Sequence, residues 1–146
     1  MTVLFEERGY QIDSDRDRLN ISLIHHFLST ESYWAKGRSR ETVERSVENS
    51  FCLGVYDPQG QQIGFARVIT DWITFAWLCD LFIVRESREQ GWAKKLVTTI
   101  LAVKELDNLK RMMLESRDAQ GLYQTYGGFQ PVSHLESLLE RRGSTI

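Results

Sequence analysis

Apolar residues recur at two different periods along this chain, and the switch between them divides it. Between Asn20 and Thr30, Ile21, Ile24, Phe27 and Leu28 fall on a helical period. Ser39 is placed to cap a second helix, with Glu41 in its first turn and Val43 and Val47 one turn apart. From Phe51 onward strand-favouring residues take over. Phe51 to Tyr56 and Gln62 to Ile69 read as strands on either side of an Asp57-Pro58-Gln59-Gly60 turn, and Ile73 to Val84 as a third, long strand after Thr70-Asp71. These three predict an antiparallel meander. The helical period then returns: Ala93, Leu96, Val97, Ile100 and Leu101 form one stripe, with Lys94, Lys95 and Lys104 off it. Leu109 to Glu115 reads as a strand, and a crossover through a helix of that size makes it parallel to the strand before it. Asp118 is placed to cap a last helix running through Tyr126, with Gly127-Gly128 ending it and Phe129 to Val132 as a final strand. A short strand at Tyr10 to Asp13 is expected to open the sheet. The expected fold is α+β, a single domain over 1–146 built on one mixed twisted sheet. Its core is expected over about 10–132, with a frayed tail from 140 onward.

The junction between the long strand and the following helix carries chemistry. Arg88-Glu89-Gln90-Gly91-Trp92-Ala93 turns a strand sharply into a helix. The first amides of a helix have no internal partners, and the helix dipole places about half a positive charge there. Gly91 and Ala93 let the backbone come close to a phosphate where larger side chains would block it. The turn therefore reads as an anion site.

Composition removes several rival classes. The chain has 146 residues, 42% hydrophobic and 26% charged, as an ordinary soluble globule does. A net charge of −2 gives no electrostatic case for nucleic acid or an anionic membrane. No apolar run approaches the roughly 20 residues that span a bilayer. The first ten residues carry Glu6, Glu7 and Arg8 rather than an apolar secretion segment, so a cytoplasmic protein is expected. Cys52 and Cys79 lie in strand-like runs and read as buried thiols. No metal is expected: His25 and His26 are helix neighbours pointing in different directions, His134 is distant, and the cysteines lack zinc-ligand spacing.

The order of elements and three local signatures resemble the GNAT superfamily of N-acetyltransferases, over the stretch from the first helix to Val132. Arg88-x-x-Gly91-x-Ala93 matches the family's acetyl-CoA loop, which has Gln or Arg first, then Gly, then Gly or Ala. Leu81-Phe82-Ile83-Val84 stands at the expected offset before that loop. Leu122-Tyr123-Gln124-Thr125-Tyr126-Gly127-Gly128-Phe129 is similar to the family's L-Y-x-x-x-G-F ending with one extra glycine.

The resemblance implies acetyl-CoA as donor and a primary amine as acceptor, with no covalent enzyme intermediate. Backbone amides of Glu89, Gln90, Gly91, Trp92, Ala93 and Lys94 are implied to hold the pyrophosphate, with Arg88 at the mouth of the loop. Phe82, Ile83 and Val84 are implied to pair with the pantetheine arm as an added strand, and an amide near Phe82 to face the thioester oxygen. Tyr123 matches the general acid for the departing thiolate; the alternative is a core tyrosine with a backbone partner. Tyr126 reads as packing, and so does the Trp92 indole.

The acceptor side is less determined. Trp77 occupies the position where some family members carry a basic glutamate. Asp80 is the one carboxylate within the long strand. Amid Leu78, Cys79, Leu81 and Phe82 it is expected to be partly desolvated, as a base, a substrate contact, or a hydrogen-bond acceptor at a strand bulge. Ser116 stands where the family often has asparagine, with Asp118 expected to take over its capping. Tyr33, Trp34 and Trp77 are the expected substrate contacts, and an aromatic pocket with one acid favours a small-molecule amine over a protein. Arg38 and Arg40 read as solvated, with contact to an acidic acceptor or to the phosphates as the alternative. A homodimer is compatible with this reading. Two rivals remain: a non-catalytic acyl-CoA-binding sensor or interaction module, and a site for another phosphorylated ligand.

Overall fold

The computed structural model describes residues 2–144. Six strands pair in sequence order: β1 (Val3–Glu7), β2 (Tyr10–Asp13), β3 (Phe51–Tyr56), β4 (Gln62–Thr70), β5 (Phe75–Ile83) and β6 (Arg111–Leu114). The first four pairings are antiparallel, and β5 runs parallel to β6. The helices are α1 (Ile21–His26), α2 (Arg40–Glu48), α3 (Trp92–Leu101), the single turn α4 (Lys104–Asp107) and α5 (Gln120–Gly127). The mixed sheet, the meander and the crossover are as the periodicity predicts.

Helices cover both faces of the sheet, which is why β3 is buried almost throughout instead of alternating. On one face Leu96, Val97 and Ile100 of α3 meet Leu53, Val55, Val68 and Leu78. On the other, Ile24, Leu28, Val43 and Val47 lie over Phe65 and Phe82. Phe27 stacks flat on Phe82, with ring centroids 4.0 Å apart. Burying each such side chain is worth about 1.5–3 kcal/mol. Local caps fix the helix starts: Asn20 accepts from the Leu23 amide and Ser39 from the Thr42 amide.

Four expectations need correction. The sheet opens one strand earlier, because Arg8 and Gly9 both take positive φ (51° and 83°) and close a tight β1–β2 hairpin. The core therefore begins before Tyr10: Phe5 lies edge-on to Trp92, whose ring stacks on Tyr10. Residues 109–115 hold a shorter strand than expected, the preceding turn being α4. The cap of α5 is not Asp118; the Ser116 hydroxyl accepts from the Ala119 amide instead. No strand forms at 129–132. Gly128 ends α5 at φ 69°, the Phe129 amide returns to the Tyr123 carbonyl, and Pro131 has no amide to offer a ladder. Its absence leaves β6 as the edge of the sheet among the described residues.

Burial also sets the alkaline behaviour of the fold. It pushes the Cys52 thiol up to about 12, the Cys79 thiol to about 11 with the Asp80 charge adding to it, and the Tyr123 phenol to about 12. In the unfolded chain thiols lose their protons near ~8.5. Above that pH the unfolded state binds fewer protons than the folded one, so stability falls as pH rises. Urea denaturation across this range should show a steady decline, and Cys52→Ala should soften its onset. A flat or rising profile contradicts the burial of these groups.

Candidate active site

The site follows from the unequal lengths of β5 and β6. They pair from Phe75 opposite Arg111 to Leu78 opposite Leu114, where β6 stops while β5 continues to Ile83. At that point β5 also bulges: its register against β4 shifts between Phe65 and Arg67, and Asp80 takes φ 53°. A cleft of about 1350 Å³ opens beyond the splay.

One end of the cleft is the turn between β5 and α3. Gly91 (φ 85°) caps α3 without a side chain, and Glu89 is also left-handed at φ 65°. The Trp92, Ala93 and Lys94 amides therefore stand in the first turn of a ten-residue helix with no side-chain cap. A Cβ at Gly91 would meet nothing within 4 Å, so the space in front of the turn is open. Arg88, Glu89, Gly91, Ala93 and Lys94 line the cleft; Gln90 does not. Arg88 folds back and donates from Nε to the Ile83 carbonyl at 3.0 Å. Trp92 is buried, its indole packing on Tyr10 as expected. Because an alanine at φ 85° costs about 1–2 kcal/mol but clashes with nothing, Gly91→Ala should weaken anion binding at this turn more than it destabilises the fold. Titration of acetyl-CoA against both proteins checks this, and equal affinities would remove Gly91 from the account.

Along the strand, the three residues expected to meet an extended ligand are not equivalent. The Val84 amide donates to the Ile63 carbonyl, and Phe82 pairs with Phe65 across the ladder. Antiparallel alternation then turns the Ile83 peptide groups to the open side. Phe82 and Ile83 line the cleft, whereas Val84 does not. The backbone groups of Phe82 and Val84 are thus turned to β4 and those of Ile83 away from it.

At the bulge sits a charged cluster. Asp80 is buried, 4% exposed. Its Oδ1 accepts from Trp34 Nε1 at 2.9 Å, and its Oδ2 from Arg38 Nη1 at 2.9 Å and Arg67 Nε at 2.8 Å. Arg67 also donates to Ser50 Oγ. Burial opposes the Arg67 charge, but the Asp80 carboxylate outweighs it and holds the guanidinium firmly protonated. Asp80 is desolvated as expected, and both of its oxygens already serve three donors, two of them cations. Arg38 is correspondingly not solvated, while Arg40 pairs with Glu44 at the surface.

Trp34 and Tyr33 reach this wall because α1 loosens into a π-helical turn, Phe27–Glu31, where Ser29, Thr30 and Ser32 bond back to carbonyls four residues earlier. The Tyr33 hydroxyl accepts from the Arg117 amide at 2.9 Å, and the Arg117 guanidinium lies 3.7 Å from its ring centre. This joins the loop before α2 to the loop before α5 across the cleft. Tyr33, Trp34 and Trp77 all line it.

Tyr123, on the second turn of α5, is 8% exposed and lines the cleft. Phe129 packs edge-on against its ring, 6.0 Å between centroids. Among the described residues its hydroxyl has no hydrogen-bond partner, nor is it one of the sealed, unsatisfied groups, which comprise Tyr56 alone. Tyr126, expected to pack, stands on the rim instead, 43% exposed with Lys94 Nζ 4.6 Å from its ring centre.

The acetyltransferase (GNAT) domain profile matches residues 48–130, more than half of the chain. The chain belongs to the GNAT family of acetyltransferases. The GNAT structure of a candidate acetyltransferase from Xanthomonas campestris pv. campestris superposes with a TM-score of 0.89 at 38% identity, over 94% of this chain and 96% of that one. A candidate acetyltransferase of Gibberella zeae is 24% identical over 135 residues, 78% of this chain and 75% of that protein. A structure from Clostridium acetobutylicum, described as an acetyltransferase with acetyl-CoA, shares the fold at TM-score 0.66 and 15% identity, over 91% and 94% of the two chains.

In this GNAT domain, Arg67 and the pairing of Arg38 are the site features that the linear sequence did not reveal. A signal was available. Arg67 is the one charge in the otherwise apolar Ile63–Ile69 run, and Asp80 the one charge in the neighbouring strand. A charge in each of two adjacent apolar strands is best satisfied by the other.

Proposed function

We propose that this protein transfers an acetyl group from acetyl-CoA to a primary amine on a small molecule, by direct attack within a ternary complex. The observation that carries this is the unpartnered Tyr123 hydroxyl, set in a cleft between the open anion turn and the aromatic wall. Bound acetyl-CoA supplies a thioester whose carbonyl an amine can attack and whose thiolate leaves.

The first amides of α3, with Gly91 leaving the approach open, bind the pyrophosphate. On β5 past the bulge, the outward Ile83 N–H is left to orient the arm and to donate to developing oxyanion charge, the Ile83 carbonyl being held by Arg88. Tyr123 Oη keeps its proton at neutral pH, because burial pushes it up to about 12. It gives that proton to the leaving sulfur and is reprotonated through cleft water, which takes up the proton the nitrogen sheds as the amide forms. Asp80 does not take the amine's proton in this reading. It holds Trp34, Arg38 and Arg67 in place, and the amine loses its proton to cleft water. The rate should therefore follow the deprotonation of the amine used, so that two amines of different basicity give profiles displaced from one another. A common inflection for both would point to an enzymic base.

Release of CoA with a panel of amines tests the proposal. Turnover of at least one primary amine is expected. Binding of acetyl-CoA without turnover of any amine, and indifference to changes at Tyr123, would favour a non-catalytic acyl-CoA-binding module.

A further inference from the structure

The acceptor wall carries more positive charge than its own packing needs. Arg38 and Arg67 converge on the single carboxylate of Asp80, which leaves one net positive charge at the bulge. Their hydrogen-bonding capacity is also in surplus. A guanidinium has five N–H donors; Arg38 commits one N–H to Asp80, and Arg67 commits Nε to Asp80 and Nη1 to Ser50. Arg38 Nε and Nη2 and Arg67 Nη2 have no partner and are not sealed in protein, since Tyr56 Oη is the one buried side-chain N or O atom without a partner among the described residues. Both side chains are largely buried, 22% and 12% exposed, and both line the cleft. Their open donors thus face the acceptor space, beside Trp34 and Trp77.

We infer that the acceptor is an amine that also carries a carboxylate, and that Arg38 and Arg67 bind that carboxylate as its specificity determinants. The inference rests on the acetyl-transfer reading for the identity of the reacting group, but the anion site stands on its own geometry. One net positive charge suits a monoanion, and the planar fork of arginine suits a carboxylate. Asp80 keeps both forks aimed. The same cations disfavour a nearby ammonium and so help to deliver the amine in its neutral, attacking form. The aromatic wall accommodates an apolar or aromatic body between the two groups.

Equilibrium titration of the CoA-saturated protein with N-acetylphenylalanine, its primary amide and N-acetylphenethylamine tests this without turnover. The acid is expected to bind at least about tenfold more tightly than either neutral analogue, as a single charge-assisted pair of about 1.5–3 kcal/mol gives. Arg38→Gln, the more exposed member, should abolish that preference, and Arg38→Lys should restore part of it. Arg67→Gln should do the same wherever its melting curve shows a folded protein. Equal affinities in the wild type, a preference that survives both substitutions, or no binding of the acid overturns the inference. Turnover of the parent amines separates it from the reading it rests on. An acid that binds through Arg38 but is never acetylated supports the anion site and contradicts acetyl transfer. Phenethylamine acetylated as well as phenylalanine contradicts the anion site and leaves acetyl transfer intact.

Discussion

Asp80→Ala should lower stability by about 4 kcal/mol, more than any other single exchange around the cleft. Removing one member of a buried ion pair costs about 3–5 kcal/mol, because the partner charges stay desolvated and uncompensated. Arg38 and Arg67 retain some exposure, which places the electrostatic part near the low end of that range. Backbone strain adds to it: position 80 has φ 53°, where aspartate is tolerated but alanine costs a further ~1 kcal/mol. For a domain of this size 1 kcal/mol moves the melting temperature by about 3 °C, so a fall of ~12 °C is expected. Asp80→Gly separates the two contributions, since glycine relieves the backbone but not the charges. It should recover about 1 kcal/mol. Thermal and urea unfolding of the two variants checks both values. A loss below ~1 kcal/mol in Asp80→Ala would mean that the cluster is not held as the geometry implies.

Tyr123→Phe should lower kcat by about 10²-fold and leave the fold nearly untouched. The hydroxyl has no partner among the described residues, so its removal strands no buried donor or acceptor. The ring, packed on Phe129, is unchanged in shape by the substitution. The loss should fall on kcat and spare acetyl-CoA affinity, because the proton is needed only as the sulfur departs. The contrast with Asp80→Ala is the informative part: one variant is stable and slow, the other unstable. Steady-state kinetics alongside a melting curve distinguishes them. An unaltered kcat in Tyr123→Phe would remove the proton donor from the mechanism.

Much of this was legible in the sequence, for identifiable reasons. The meander, α3 and the anion turn announce themselves through local chemistry: period, caps and a small-residue loop. Their residues interact with near neighbours, so a linear reading finds them. The β1–β2 hairpin was missed because its turn depends on Arg8 at positive φ, an unusual use of that residue. The final strand was expected from an apolar run, yet Phe129 is held back against Tyr123 and Pro131 cannot pair. The Asp80 cluster was the least legible feature. Its members come from the loop before α2, from β4 and from β5, with partners 13, 42 and 46 residues away from the acid. Only strand register and a bulge bring them together. The donor side of the site is thus local in sequence, and the acceptor side is not.

The position of the bound CoA sulfur decides between acetyl transfer at Tyr123 and any other use of the cleft. A crystal structure of the protein with CoA bound should place the pyrophosphate on the amides of Gly91 to Lys94, and the sulfur within hydrogen-bonding reach of Tyr123 Oη, facing Trp34 and the Arg38–Arg67 pair. A thiol directed elsewhere, with Tyr123 Oη out of reach, would contradict it.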